Sequence, residues 1–99
     1  MAFHRLVRLD QLHDGFRALY RIGREEILLI QHQGQVYLLD NRCPHQGFPL
    51  DRGTVNGERL VCPRHGFAFH LERGDCLQAR CQLRRWPLAW DGPYLGVEM

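Results

Sequence analysis

Two short segments of the chain combine cysteine and histidine at close spacing. Cys43 and His45 are separated by one residue, and Cys62 and His65 by two. Two thiolates and two imidazoles suit either zinc or an iron–sulfur cluster. The single residue between Cys43 and His45 would crowd both side chains on one tetrahedral ion. Two irons fit better, if each segment gives its cysteine to one iron and its histidine to the other. A Cys2His2 zinc site is the alternative.

The residues beside these four add to the pattern. Pro44 and Pro63 each follow a cysteine, and proline fixes φ and stiffens a loop. Gly47 and Gly66 follow the histidines, where the backbone must pass close to a bound group. We expect backbone N–H groups there to point at cluster sulfides and so favour the more negative, reduced state.

Together the two segments resemble those of the Rieske family, which reads C-x-H and then, further along, C-x-x-H. The likeness covers essentially the whole chain, because it extends to residues beyond the ligands: Gly47, Leu50, Gly53, Gly66, Phe69 and Gly74. It implies one [2Fe–2S] cluster, with Cys43 and Cys62 on the inner iron and His45 and His65 on the outer iron near the surface. It also implies an all-β fold of antiparallel sheets, with a small cluster-binding subdomain.

The resemblance also indicates which kind of Rieske site to expect. High-potential members carry a disulfide between the two loops, at positions that hold Phe48 and Arg64 here. They also direct a serine and a tyrosine hydroxyl at the cluster, where this chain has Phe67 and Phe69. Without those donors the reduced cluster is less stable. We therefore expect a low-potential site, towards the end of the Rieske range at about −150 mV.

By resemblance, the chain is a soluble Rieske ferredoxin that relays one electron from a reductase to an oxygenase. It is expected to be an electron-transfer component and not an enzyme, because oxygenase catalytic subunits carry a mononuclear iron in a second domain. A chain of 99 residues has room for one domain, residues 1–99, with its cluster-binding loops within 41–53 and 62–67. The alternatives are the small subunit of an assimilatory nitrite reductase and, in another class, a redox-sensing or structural metal-binding module.

The composition of the chain limits the kinds of partner that it is expected to bind. All basic residues are arginine, and the net charge of +2 with no long basic run argues against nucleic-acid binding. Apolar runs are too short to span a bilayer, and the charged N-terminal segment predicts a cytoplasmic protein with no membrane contact. Arg42, Arg52 and Arg64 surround the ligand segments. They form either a basic collar for an acidic redox partner or a solvated surface.

Frequent Gly and Pro divide the chain into short strands, as in all-β domains. Residues 27–30 are apolar on both faces, so they should lie in a central strand; residues 33–34 and 91–92 should form tight turns. One helical turn is possible over 10–13. The predicted strands are His4–Arg8, Ala18–Ile22, Glu26–His32, Val36–Asp40, Arg59–Cys62, Phe67–His70, Arg84–Ala89 and Tyr94–Glu98.

The remaining cysteines, tryptophans and histidines are interpreted as structural residues. Cys76 and Cys81 read as small buried hydrophobes, because a second metal site lacks partners. Trp86 and Trp90 read as core packing along one strand. Four further histidines are expected at the surface or in turns and not as ligands: His4, His13, His32 and His70.

Overall fold

Nine antiparallel strands make up the computed structural model, which describes residues 2–44, 47–64 and 66–99. The strands form three sheets of three, ordered β1-β9-β8, β2-β3-β4 and β5-β6-β7. Their bounds are β1 (Phe3–Arg8), β2 (Arg17–Ile22), β3 (Glu25–His32), β4 (Gln35–Asp40), β5 (Thr54–Asn56), β6 (Arg59–Val61), β7 (Ala68–His70), β8 (Ala89–Asp91) and β9 (Tyr94–Glu98). The predicted all-β fold of antiparallel sheets is confirmed.

Strand β3 is central, as its apolar run predicted. Side chains alternate across a strand, and here each face packs into a different core. Ile27 and Leu29 join the core formed with β1 and β9. Leu28 and Ile30 join a second core that contains Cys43 and Cys62. The run is apolar throughout because both of its faces are buried.

The third sheet carries the second ligand segment. Residues 62–67 connect β6 to β7, which pair antiparallel with Leu60 opposite Phe69. Both of these side chains are fully buried beside the two ligand-segment cysteines. The third sheet therefore supports the second ligand segment. The first ligand segment follows the end of β4 and leads to β5.

Most predicted strands are present, but two differ. Residues 84–89 form no regular strand: Arg85 makes only an isolated bridge to Leu39, and Pro87 lacks the N–H that a ladder requires. Strand β8 begins at Ala89 instead. Strand β5 was missed, because three residues bounded by Gly53 and Gly57 carry almost no periodicity.

Three interpretations of single residues were wrong or only half right. Trp86 is buried as expected, but Trp90 is 60% exposed, since β8 lies at the edge of its sheet. His70 is 7% exposed and lies in β7, so it is not a surface residue. Cys76 and Cys81 are half-buried and not enclosed in the core.

The turns and the helical segment agree more closely. Gln33 and Gly34 both have positive φ, the conformation of a tight hairpin turn. The turn predicted at residues 91–92 lies one residue later, between Asp91 and Tyr94. A 3-10 turn spans Leu9–Gln11, slightly before the expected position. Within the described ranges, no helix has the length and apolar character that crossing a bilayer requires.

Candidate metal centre

The first ligand segment folds back on itself. Arg42 pairs with Pro49 in an isolated bridge, and the Cys43 N–H donates to the Phe48 carbonyl at 2.8 Å. The Gly47 N–H donates in turn to the Cys43 carbonyl at 2.6 Å. These bonds join the two ends of the loop, and the Cys43 side chain is fully buried.

The second ligand segment repeats this backbone pattern. The Cys62 N–H donates to the Phe67 carbonyl at 2.8 Å, and the Gly66 N–H donates to the Cys62 carbonyl at 3.0 Å. Both segments share the order Cys-Pro-x-x-Gly-Phe. The fold thus builds two copies of one loop, each with a cysteine at the same position.

Positive φ explains the glycine in each loop. Gly47 has φ +76° and Gly66 φ +71°, a region that other residues enter only with strain. The N–H groups of both glycines bond to the cysteine carbonyls. The glycines therefore fix the loop shape. That backbone N–H groups of these loops point at cluster sulfides stays a prediction.

The two cysteines lie in the same buried, apolar part of the molecule. Cys43 is 0% and Cys62 1% exposed, and both belong to one packed group with Leu50, Leu60 and Phe69. His45 and His65 lie outside the described residues. The cysteine thiols, drawn from paired loops and enclosed by apolar side chains, are suited to a cluster that is neutral when oxidised. The residues present therefore fit the implied [2Fe–2S] group.

A contact between Arg64 and Phe48 joins the two loops at the surface. The Arg64 guanidinium lies 4.7 Å from the centre of the Phe48 ring, within the range of a cation–π interaction. These are the positions at which, by the resemblance, high-potential members place their disulfide. A non-covalent contact takes its place here.

The first loop is anchored at its base by Asn41, which the sequence analysis did not identify. This side chain is 1% exposed. Its amide donates to Glu26 at 3.1 Å, and its carbonyl oxygen accepts the Leu50 N–H at 3.1 Å. Hydrogen bonds from Arg21 and Asn41 hold the pKa of Glu26 below its usual value. A polar residue directly before a ligand segment was the available signal.

The far end of the first loop is held against two strands. Arg17 of β2 donates to the carbonyls of Gly53 at 2.5 Å and Asp51 at 3.1 Å. A Cβ on Gly53 would lie 2.5 Å from the Val61 carbonyl oxygen. Glycine is required there because the loop presses directly on β6.

The second loop is held by Gln78, another residue that the sequence analysis missed. Its amide donates to the Gly66 carbonyl at 3.3 Å, and its side-chain oxygen accepts the Ala68 N–H at 2.9 Å. Gln78 itself is exposed. No local sequence signal marks it, since the contact spans ten or more residues.

His70 is a structural residue. Its Nδ1 accepts the N–H groups of Glu72 and Arg73, both at 3.1 Å, and its Nε2 faces Glu58 at 3.3 Å. This arrangement places the proton of the neutral ring on Nε2. His70 therefore fixes the turn after β7.

Asp75 holds the segment after β7 through ion pairs with two arginines. Hydrogen bonds from Arg73 and Arg59 lower its pKa to about 2, although slight burial opposes the shift. The two contacts measure 2.9 Å and 3.2 Å. The segment that leads to Gln78 is therefore held to β6.

Comparison with known proteins identifies the family. The family model for the Rieske [2Fe-2S] domain matches residues 2–88. The ferredoxin component of the alkene monooxygenase system of Xanthobacter autotrophicus is 33% identical over 86 residues, 85% of this chain and 70% of that protein. The chain belongs to the Rieske [2Fe–2S] domain family, and its cofactor is a [2Fe–2S] cluster.

Solved structures agree on the fold. The ferredoxin of carbazole 1,9a-dioxygenase from Nocardioides aromaticivorans superimposes with a TM-score of 0.83 and 26% identity, over 98% of this chain and 97% of that one. A protein assigned as the small subunit of an NADH-dependent nitrite reductase from Mycobacterium tuberculosis gives a TM-score of 0.81 at 20% identity, over 97% and 93% of the two chains. The second likeness shows the fold alone.

Proposed function

We propose that this chain is a one-electron carrier that relays electrons from a reductase to an oxygenase. The observation that carries the proposal is the pair of matched loops, which bring two buried cysteines together beneath a surface tip. A bound [2Fe–2S] cluster supplies reversible one-electron chemistry there. The similar proteins named as ferredoxin components of a monooxygenase and a dioxygenase support the same role.

We assign the cluster to Cys43, His45, Cys62 and His65, within a single domain of residues 1–99. Each matched loop contributes one cysteine at its base. In each loop the histidine lies between that cysteine and the positive-φ glycine. We propose that electrons enter and leave the cluster through these two histidines.

The surroundings support a low reduction potential. Phe69 is fully buried in the same packed group as Cys43 and Cys62, and its ring has no hydrogen-bond donor. A hydroxyl at this position would stabilise the extra negative charge of the reduced cluster. Its absence favours the oxidised form, and so places the potential towards the lower end of the Rieske range.

The surface around the loop tips is suited to a protein partner. An open groove of about 520 Å³ between the two loops is lined by Phe48, Pro49, Asp51, Arg52, Pro63 and Arg64. Arg42, Arg52 and Arg64 are all exposed, and in the part of the chain that the structure describes none of them forms an ion pair. We propose that this basic collar attracts an acidic partner face, with a rate that falls as salt rises.

Electron transfer is testable without the natural partner. The holoprotein is mixed with NADH, a flavoprotein ferredoxin reductase and cytochrome c, and cytochrome c reduction is followed. We expect the rate to rise in proportion to the added holoprotein. Cys62→Ser should lose both iron and activity, whereas Cys76→Ser should keep both. No dependence on the holoprotein at any concentration would overturn the proposal.

The other functions have less support. The nitrite reductase subunit shares the fold, but no residue contact described above favours that role over the ferredoxin role. A structural zinc module is contradicted by membership of the [2Fe–2S] family. We also propose a cytoplasmic location, supported by cysteine thiols that are typical of reducing compartments. Cell fractionation tests it.

A further inference from the structure

Cys76 and Cys81 face each other across a short hairpin. Asp75 and Gln82 form an antiparallel bridge, so the next residues inward, Cys76 and Cys81, are placed opposite one another. Opposed residues of an antiparallel pair have Cα atoms about 4.5–5.5 Å apart. Disulfides form when the Cα atoms are about 4.4–6.8 Å apart. The register of this bridge therefore favours a bond between the two sulfurs.

The side chains agree with the backbone. Burial and, after it, the neighbouring Cys76 thiol raise the pKa of the Cys81 thiol, and both side chains are half-buried. Both cysteines pack against the core that contains Cys43 and Cys62, but neither is enclosed by it. A metal site is not supported either: in the described ranges, no group of three or more His, Cys, Asp or Glu residues is arranged to hold an ion.

We propose that Cys76 and Cys81 form a reversible disulfide, made by exchange with disulfides of the glutathione class. The Cys76 thiolate attacks one sulfur of the small disulfide, forms a mixed disulfide and releases the first small thiol. Cys81 then displaces the second. The two protein thiols lose two electrons and two protons, which the small disulfide gains as two thiols. Arg80, exposed in the same turn, offers a guanidinium to the carboxylates of such a reagent.

The pair is connected to the second ligand loop through Gln78. The Cys76 thiol donates to the Gln78 side-chain oxygen at 3.6 Å, and that oxygen also accepts the Ala68 N–H. The amide of the same side chain holds the Gly66 carbonyl. Disulfide formation removes the thiol donor and closes the hairpin around Gln78. The oxidation state of the pair thus acts on the residue that holds the loop.

Tryptic digestion provides a direct test. Cleavage after arginine separates all four cysteines, and residues 74–80 and 81–84 become distinct peptides. The holoprotein is equilibrated with oxidised and reduced glutathione at several ratios, alkylated, digested and analysed by mass spectrometry. We expect the two peptides to be linked at oxidising ratios and separated again by dithiothreitol. Both cysteines alkylated at every ratio, or each carrying glutathione without a link, would overturn the proposal.

Two variants extend the test. In Cys81→Ser the resolving thiol is missing, so Cys76 should accumulate a mixed disulfide with glutathione; an unmodified Cys76 would contradict the exchange step. Iron release to a chelator measures the link to the loop. We expect the oxidised and reduced wild-type forms to release iron at different rates, while oxidised and reduced Cys76→Ser behave alike. Equal rates in the two wild-type forms would refute the coupling through Gln78.

Discussion

The two cysteine loops, residues 43–48 and 62–67, have the same pattern of backbone hydrogen bonds but are supported by different side chains. Each has the same pair of backbone hydrogen bonds around its cysteine and the same positive-φ glycine. Yet the first loop rests on Asn41, a buried amide with partners on two sides, whereas the second depends on Gln78, which is exposed. The shape of each loop is therefore set by its own backbone, while its support comes from a side chain outside it, adjacent for the first loop and distant in sequence for the second.

The difference has a consequence for cluster retention. A buried polar side chain with both ends bonded is costly to disturb, so the first loop should keep its shape when conditions change. An exposed amide competes with water, and its hydrogen bonds contribute less. We therefore expect the cluster to detach first from the second loop.

The largest expected effect is at the base of the first loop. Asn41→Ala removes the side-chain hydrogen bonds to Glu26 and Leu50, although the Leu50 N–H keeps its bond to the backbone carbonyl of residue 41. It should lower the free energy of unfolding by about 1–3 kcal/mol. Denaturant unfolding measures this. The exposed Asn56→Ala is the matched control, expected within about 0.5 kcal/mol of the wild type. If both variants lose the same amount, Asn41 is not an anchor.

A smaller effect, on the reduction potential of the cluster, is expected at Phe69 in β7. Phe69→Tyr adds a hydroxyl among the residues that surround Cys43 and Cys62. One new hydrogen bond to the reduced cluster, worth about 1 kcal/mol, would raise the reduction potential by roughly 40 mV. Phe16→Tyr makes the same change in the other core and should leave the potential unchanged. A potential lowered by Phe69→Tyr would contradict the account of the missing donor.

The contact between the loops should contribute less still. Phe48→Leu removes the ring beneath Arg64, and an exposed cation–π contact is worth about 0.5–1 kcal/mol. Iron release to a chelator should therefore quicken roughly two- to fivefold, since 1.4 kcal/mol corresponds to a factor of about ten. Phe48→Tyr keeps an aromatic ring and should release iron at the wild-type rate. Equal release from Phe48→Leu and wild type would show that the contact does not hold the loops together.

The smallest effect concerns acid stability near the second loop. The pKa of Asp75 is lowered to about 2 by Arg73 and Arg59, so its ion pairs stabilise the fold above the ordinary carboxyl pKa, and this contribution is lost as the pH falls towards 2. Asp75→Asn should remove that part of the pH dependence between pH about 4 and 2. Unfolding curves of both proteins across this range measure the difference. Parallel curves would contradict the role of Asp75.

The sequence predicted the parts of the molecule that depend on local pattern. The apolar run of β3 and the tight turn at Gln33 and Gly34 follow from periodicity and glycine chemistry. The two cysteine segments carried the family resemblance, which the family comparison confirmed. These features need no knowledge of distant contacts.

What could not be predicted depends on contacts between distant residues. Asn41 and Gln78 look like ordinary polar residues until the fold places Glu26 and Gly66 beside them. Trp90 alternates with Trp86 in sequence, but the edge position of β8 leaves it exposed. Cys76 and Cys81 meet only because a hairpin closes between them. The assignment of Cys43, His45, Cys62 and His65 as ligands remains a prediction.

Redox-titrated EPR of the anaerobically purified protein tests the central claim most directly. The account predicts one [2Fe–2S] cluster per chain, coupled to two imidazole nitrogens, with a midpoint towards about −150 mV. Variants of His45 and His65 should each remove one nitrogen coupling. A protein that holds only zinc, or a cluster with a midpoint above about +100 mV, would contradict it.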